Sequence, residues 1–200
     1  MSFKVVFIDD NLKKQQNEPF VRSISKLRPN IEPSVFVDPA IGLQFVMENL
    51  NSRMIVFVDC RFDGYGIQGI NLLKQIRERT SLLYIVMMSA NNLNQIAGID
   101  LVEMINQDYI WFLDRNNSTV QDACKLIDTI ASLWDSRFDC VLEQWLIRHQ
   151  EDKDKVVYNQ NNKAYSWGEL LNEVRLQTEV GKDFERVMNQ YCIAKFKIEQ

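Results

Sequence analysis

The four cysteines of this chain, Cys60, Cys124, Cys140 and Cys192, include no C-x-x-C pair. Their scatter argues against a structural zinc site and fits reduced thiols in a cytosolic protein. Also missing is any run of roughly 20 apolar residues, the length a membrane span needs. Met1-Ser2-Phe3-Lys4 leads straight into a strand pattern, with no secretory signal. A soluble, cytoplasmic protein is expected, without membrane attachment. Positive charge is not in excess either: 23 Lys and Arg stand against 27 Asp and Glu, for a net charge of −4. Residues 151–200 alone carry 8 basic and 9 acidic side chains, so a small DNA-reading module is not announced there. Nucleic acid is not expected as a partner. Histidine is nearly absent. The single His149 lies near the end of a helical stretch, a position that explains it better than catalysis or metal binding. There are no internal repeats or low-complexity tracts.

What is present is an ordinary globular composition, 46% hydrophobic and 25% charged, over 200 residues. Short β-branched or aromatic runs alternate with helical periodicity, which predicts a parallel sheet. Strands are expected at 3–8, 34–37, 54–58, 83–88 and 109–113, and helices near 12–28, 40–50, 69–79 and 93–106. Asp38-Pro39 supplies an N-cap and a first helical residue for the second helix. The fold class that follows is α/β, a doubly wound five-stranded parallel sheet in the order 2-1-3-4-5.

From Ser118 onward, Val120, Cys124, Ile127, Ala131, Trp134, Phe138, Val141 and Trp145 recur in alternating steps of four and three, with no Gly or Pro between 118 and 150. This heptad seam predicts an extended fifth helix over 118–150. Trp134, Phe138, Val141 and Trp145 could line a homodimer interface or pack on the chain's own C-terminal segment; the pattern leaves both open. Charged residues 151–155 read as a linker. Beyond it, residues 156–200 form a small C-terminal region: a hairpin around Asn159-Gln160-Asn161-Asn162, a helix opened by Ser166-Trp167-Gly168-Glu169 with capping-box spacing, a break at Gly181, and a last helix.

The chemistry concentrates at strand ends. Asp9 and Asp10 end the first strand and Asp59 the third, and parallel neighbours end at one edge of the sheet. Three carboxylates there make a hard oxygen site suited to Mg²⁺, with one free to act as nucleophile. Ser89 at the end of strand four adds a hydroxyl, and Arg115 after strand five a cation, which a phosphoryl group on Asp59 would need.

In this ordered pattern residues 1–135 resemble the receiver domain of two-component response regulators. Asp9-Asp10, Asp59, the stretch Gly69 to Arg77, Ser89-Ala90 and Phe112-Leu113-Asp114-Arg115 carry the likeness. The resemblance implies a flavodoxin-like receiver fold and phosphotransfer to Asp59 from a sensor histidine kinase or phosphotransfer protein. It further implies Mg²⁺ held by Asp9, Asp10, Asp59 and the backbone carbonyl of Arg61, with Ser89 responding to the phosphoryl group and Phe112 as an aromatic switch. Such a protein is no enzyme beyond its own phosphotransfer and dephosphorylation, and an output protein would be a further partner. The chain departs from the family pattern in Arg115-Asn116, where lysine and proline are usual, and in the loop from Cys60 to Gln68. These departures favour the alternative, a phosphorylation-independent pseudo-receiver serving as an interaction or dimerisation module. A phosphohydrolase would generally want Asp-x-Asp after strand one; here the acids are adjacent.

Overall fold

A computed structural model describes residues 2–12, 18–90 and 98–198, apart from the side chains of residues 99, 103, 197 and 198. The chain divides into two compact units, residues 1–131 and 132–200.

The first unit is built on five strands: β1 (Phe3–Ile8), β2 (Ile31–Phe36), β3 (Met54–Asp59), β4 (Tyr84–Ser89) and β5 (Ile110–Asp114). All neighbours run parallel in the order β2-β1-β3-β4-β5, as expected. Helices α1 (Pro19–Leu27), α2 (Pro39–Glu48), α3 (Gly69–Arg77), α4 (Gly98–Ile105) and α5 (Val120–Leu133) alternate with them. Every residue of β3 and β4 is buried, which is why these strands read as unbroken apolar runs. The edge strand β2 starts three residues earlier than its apolar pattern shows. Glu32, Pro33 and Ser34 hide its start, and proline is tolerated because only one side of an edge strand is paired. Asp38 caps α2 as expected, its Oδ1 accepting from Ala40 N at 2.8 Å and Ile41 N at 3.2 Å, with Pro39 opening the helix. The first parts of the predicted first and fourth helices, at 13–17 and 93–97, lie outside the described residues.

The expected single helix over 118–150 does not form. It ends at Leu133, a 3₁₀ turn covers Trp134–Ser136, and α6 (Phe138–Arg148) starts afresh. Arg137 is the hinge, with extended φ and ψ of −82° and 130°. Its guanidinium forks onto Asp139, Nε to Oδ1 at 2.6 Å and Nη2 to Oδ2 at 2.9 Å. Residues two apart do not face each other on a helix, so this fork requires the backbone to leave helical geometry at Arg137. The heptad seam is therefore two separate stripes. Trp134 is buried in the 3₁₀ turn, Phe138 and Trp145 pack against the second unit's core, and Val141 is 49% exposed.

The second unit continues through a hairpin of β6 (Val156–Gln160) and β7 (Lys163–Ser166) to α7 (Trp167–Arg175) and α8 (Glu179–Ile198). Asn161 and Asn162 both take positive φ, 52° and 61°, as a two-residue hairpin turn demands. Ser166 and Glu169 form the expected capping box: Ser166 N donates to Glu169 Oε2 at 2.8 Å and Glu169 N to Ser166 Oγ at 3.3 Å. Leu142, Leu146, Tyr165, Leu170, Val174 and Phe184 make the core. So α6, expected as part of a long signalling helix, instead supplies one wall of the C-terminal unit.

Gly181 does not break a helix. The break falls at Leu176–Thr178, with Gln177 at φ 51°, and Gly181 sits in the first turn of α8. A Cβ there would lie 2.2 Å from the carbonyl oxygen of Glu173 on α7. Gly181 is needed because the two helix backbones approach too closely for a side chain. Gly181→Ala is therefore expected to destabilise the second unit by about 2–3 kcal/mol, despite alanine's better helix propensity. Urea unfolding followed by tryptophan fluorescence measures it; an unchanged midpoint would contradict the close-packing account.

Candidate functional site

Sheet register assembles the site. Ile8 pairs with Val58, so Asp9 emerges level with Asp59; Asp59 pairs with Met88 and Ser89 with Asp114. The N–H of Arg115 then donates to the carbonyl of Ser89 at 2.8 Å, fixing that residue at the same edge. Asp9, Asp10 and Asp59 each present a carboxylate oxygen, all within 4.8 Å of one another. Asp9 is fully buried, Asp59 and Ser89 nearly so, and Asp10 half-buried.

The first two acids are well held. Asp9 Oδ1 accepts from Asn11 N at 2.8 Å, and its Oδ2 meets Nη1 of Arg115 in an ion pair. Asp10 Oδ1 accepts from Asn11 Nδ2 at 3.2 Å and its Oδ2 from Asp63 N at 2.7 Å. Asp59 Oδ1 takes a long bond, 3.4 Å, from Arg61 N. Burial pushes the Asp59 carboxyl up to about 7, and the charge of Asp9 adds to this; the Arg61 N–H and Arg115 oppose it. Burial raises Asp9 too, against the pull of Arg115. Three ionised carboxylates facing one guanidinium leave two negative charges uncompensated, in a pocket where desolvation makes that costly.

Hard oxygen donors, convergence and a net deficit of two positive charges together fit a small dication such as Mg²⁺. Arg61 meets the pocket through its N–H, which donates to Asp59. Cys60, next to Asp59, is no competing nucleophile: burial, with the charge of Asp59, pushes its thiol up to about 12. Phe112 is half-buried and packs against the sheet's core.

Several supporting contacts carry no sequence signal. Gly69 opens α3, and a Cβ on it would lie 2.1 Å from the carbonyl oxygen of Asp59, so glycine lets α3 start against the strand end. The loop between them is plugged by buried Phe62, whose N–H donates to Gln68 Oε1 at 3.2 Å. The Arg115 guanidinium lies over Phe20 of α1, 5.8 Å from the ring centroid. Motif spacing could not expose these contacts, because they run through backbone atoms or through a helix distant in sequence. His149 ends α6, its ring stacked on Trp145 at 4.6 Å and its Nδ1 2.9 Å from the Trp145 carbonyl, far in sequence from the acids. The four cysteines are free thiols. Among the described residues no helix is long and apolar enough to cross a membrane.

No protein-family model matches the chain, and a search of curated proteins finds no match. Solved structures do match. A response regulator receiver domain from Clostridium thermocellum aligns with a TM-score of 0.51 at 20% identity, covering 65% of this chain and 94% of that one. NtrX from Brucella abortus, solved in complex with ADP, aligns with a TM-score of 0.51 at 16% identity, covering 88% of this chain and 33% of NtrX. The five-stranded sheet and its flanking helices have the fold of response-regulator receiver domains.

Proposed function

We propose that this protein is a response-regulator-like signalling protein whose first unit accepts a phosphoryl group on Asp59. The observation that carries this is the convergence of Asp9, Asp10 and Asp59 within 4.8 Å at the sheet edge that also bears Ser89 and Arg115. Asp9 and Asp10 are each held on both oxygens, whereas Asp59 takes the longest bond of the three, which leaves it the readiest nucleophile. In the transfer, an Asp59 carboxylate oxygen attacks the phosphorus of a phosphohistidine on a sensor kinase or phosphotransfer protein. The O–P bond forms, the P–N bond breaks, and the departing imidazole takes a proton from solvent. A bound Mg²⁺ would supply positive charge to the phosphoryl oxygens. Asp9 and Asp10 would hold that ion together with Asp59, the Ser89 hydroxyl would donate to a phosphoryl oxygen, and Arg115 would balance its charge. The protein acts as phosphoacceptor, not as an enzyme on other substrates, and hands its change of state to the second unit or to a separate output partner.

The test is intact-mass measurement after incubation with acetyl phosphate and Mg²⁺. Wild type should gain one phosphoryl mass and Asp59→Asn none, with a parallel change in the fluorescence of Trp111, which neighbours Phe112. Equal labelling of both proteins, or labelling of neither, would remove the reading. One observation favours a second reading, the phosphorylation-independent interaction module: Arg115 is engaged by Asp9. Absence of labelling alongside an unchanged binding surface would favour it.

A further inference from the structure

We infer that Arg115 is a resident counter-ion that competes with a divalent cation for Asp9, and thereby sets how tightly the pocket holds that cation. This rests on the metal-binding part of the function proposed above. Both oxygens of Asp9 are occupied: Oδ1 by the Asn11 N–H at 2.8 Å and Oδ2 by Arg115 Nη1. A dication that uses Asp9 at Oδ2 therefore competes with the guanidinium for that oxygen and repels it. Arg115 is also held from two other sides. Its N–H is anchored on the Ser89 carbonyl, and its guanidinium rests over Phe20. The backbone is thus fixed at the sheet edge, while the side chain, 25% exposed, has room to leave.

Arginine suits this role better than lysine. A guanidinium is planar, weakly hydrated and able to stack on an aromatic face, so it persists in a partly buried pair where an ammonium would seek water. Competition is reciprocal: whatever free energy the guanidinium gains from Asp9 is subtracted from the ion's affinity, and ion binding loosens Arg115 by the same amount. The departure from lysine at this position then has a physical meaning. It gives the acidic cluster a substitute cation and raises the ion concentration at which the pocket loads.

The experiment is calorimetric Mg²⁺ titration of the full chain as wild type, Arg115→Gln, Arg115→Lys and Arg22→Gln. Arg22 is exposed on α1, lies two residues past Phe20 and carries the same charge, so it controls for a general change of field. Arg115→Gln should bind Mg²⁺ at least about tenfold more tightly than wild type or Arg22→Gln, with Arg115→Lys between them. In wild type, exchange of the Arg115 Nη protons should quicken as Mg²⁺ is added, a readout that needs no variant to fold. Equal affinities for wild type and Arg115→Gln, or an equal gain in Arg22→Gln, would overturn the inference and leave the proposed function standing. No Mg²⁺ binding by any of the four, wild type included, would overturn both. Normal competition without phosphoryl labelling of Asp59 would sustain the inference and sink only the phosphotransfer.

Discussion

Mg²⁺ affinity should fall about tenfold between pH 8 and pH 6, because a ligating carboxylate must first lose its proton. The Asp59 carboxyl, raised to about 7 by burial and by Asp9, takes up its proton across that window. Above pH 7 the ion meets an ionised site; each unit below costs about tenfold in apparent affinity for one competing proton. Ordinary surface carboxylates would show no such slope, since they are ionised throughout. Calorimetric titration at pH 6, 7 and 8 decides it, and a flat profile would show that Asp59 is not the proton-linked ligand.

The same shift has a consequence for stability. A carboxyl whose folded value lies above its unfolded value near 4 keeps a proton in the native state that the unfolded chain has lost. Stability in the absence of ions therefore declines as pH rises from about 4 to about 7, and stays low above that. Asp59→Asn removes the penalty. At pH 8 without Mg²⁺ the variant should be more stable than wild type, on the order of a few kcal/mol, and Mg²⁺ should stabilise it far less. Thermal melts at pH 5 and pH 8, with and without the ion, separate the two effects. A variant less stable than wild type at pH 8 would contradict the cost of burying the Asp59 charge beside Asp9.

Why these acids were legible before any coordinates follows from the sheet. In a parallel sheet, strand ends coincide, so Asp9, Asp59 and Ser89 at the ends of apolar runs had to share an edge once the order 2-1-3-4-5 was set. What could not be read was how the edge charges are partnered. That Arg115 pairs with Asp9 depends on the reach of a flexible side chain and on Phe20, a residue of α1. The long-helix expectation failed for a related reason. Periodicity reports which residues are apolar, not where the backbone must turn to satisfy a buried charge. Val120 to Ala131 and Trp134 to Trp145 keep heptad spacing, but Asp139 needs a guanidinium from two residues back, and the helix yields at Arg137. Gly181 misled similarly: glycine marks either a stop or a close approach, and only the position of the Glu173 carbonyl distinguishes them.

That buried charge gives the second large effect. Asp139, 1% exposed, takes Nε of Arg137 at 2.6 Å and Nε of Arg175 at 3.2 Å, and Arg175 in turn reaches Glu143 Oε1 at 2.9 Å. Arg175 is 7% exposed and ties α7 to α6 through this cluster. Asp139→Ala would take the Asp139 carboxylate from Arg137 and leave Arg175 with Glu143 beside a void, a loss of about 3–5 kcal/mol. For residues 132–200 that is comparable with the whole stability such a unit has, at about 0.05–0.15 kcal/mol per residue. The second unit should therefore unfold or melt far below wild type, while the five-stranded sheet persists. The pH dependence runs opposite to that of Asp59. Burial raises the Asp139 carboxyl, but hydrogen bonds and charge from Arg137 and Arg175 more than offset it and hold the group below its ordinary value. Its contribution is thus complete above the unfolded value near 4 and is lost as pH falls through the lower folded value. Tryptophan fluorescence and near-ultraviolet circular dichroism of wild type should show this acid transition, and Asp139→Ala should lack it. Pairing Asp139→Leu with Arg175→Met should recover part of the loss, since it removes the two most buried charges together, while Arg137 and Glu143, 16% and 22% exposed, have access to solvent. If Asp139→Ala melts within about 1 kcal/mol of wild type, the cluster is not what closes α6 on α7.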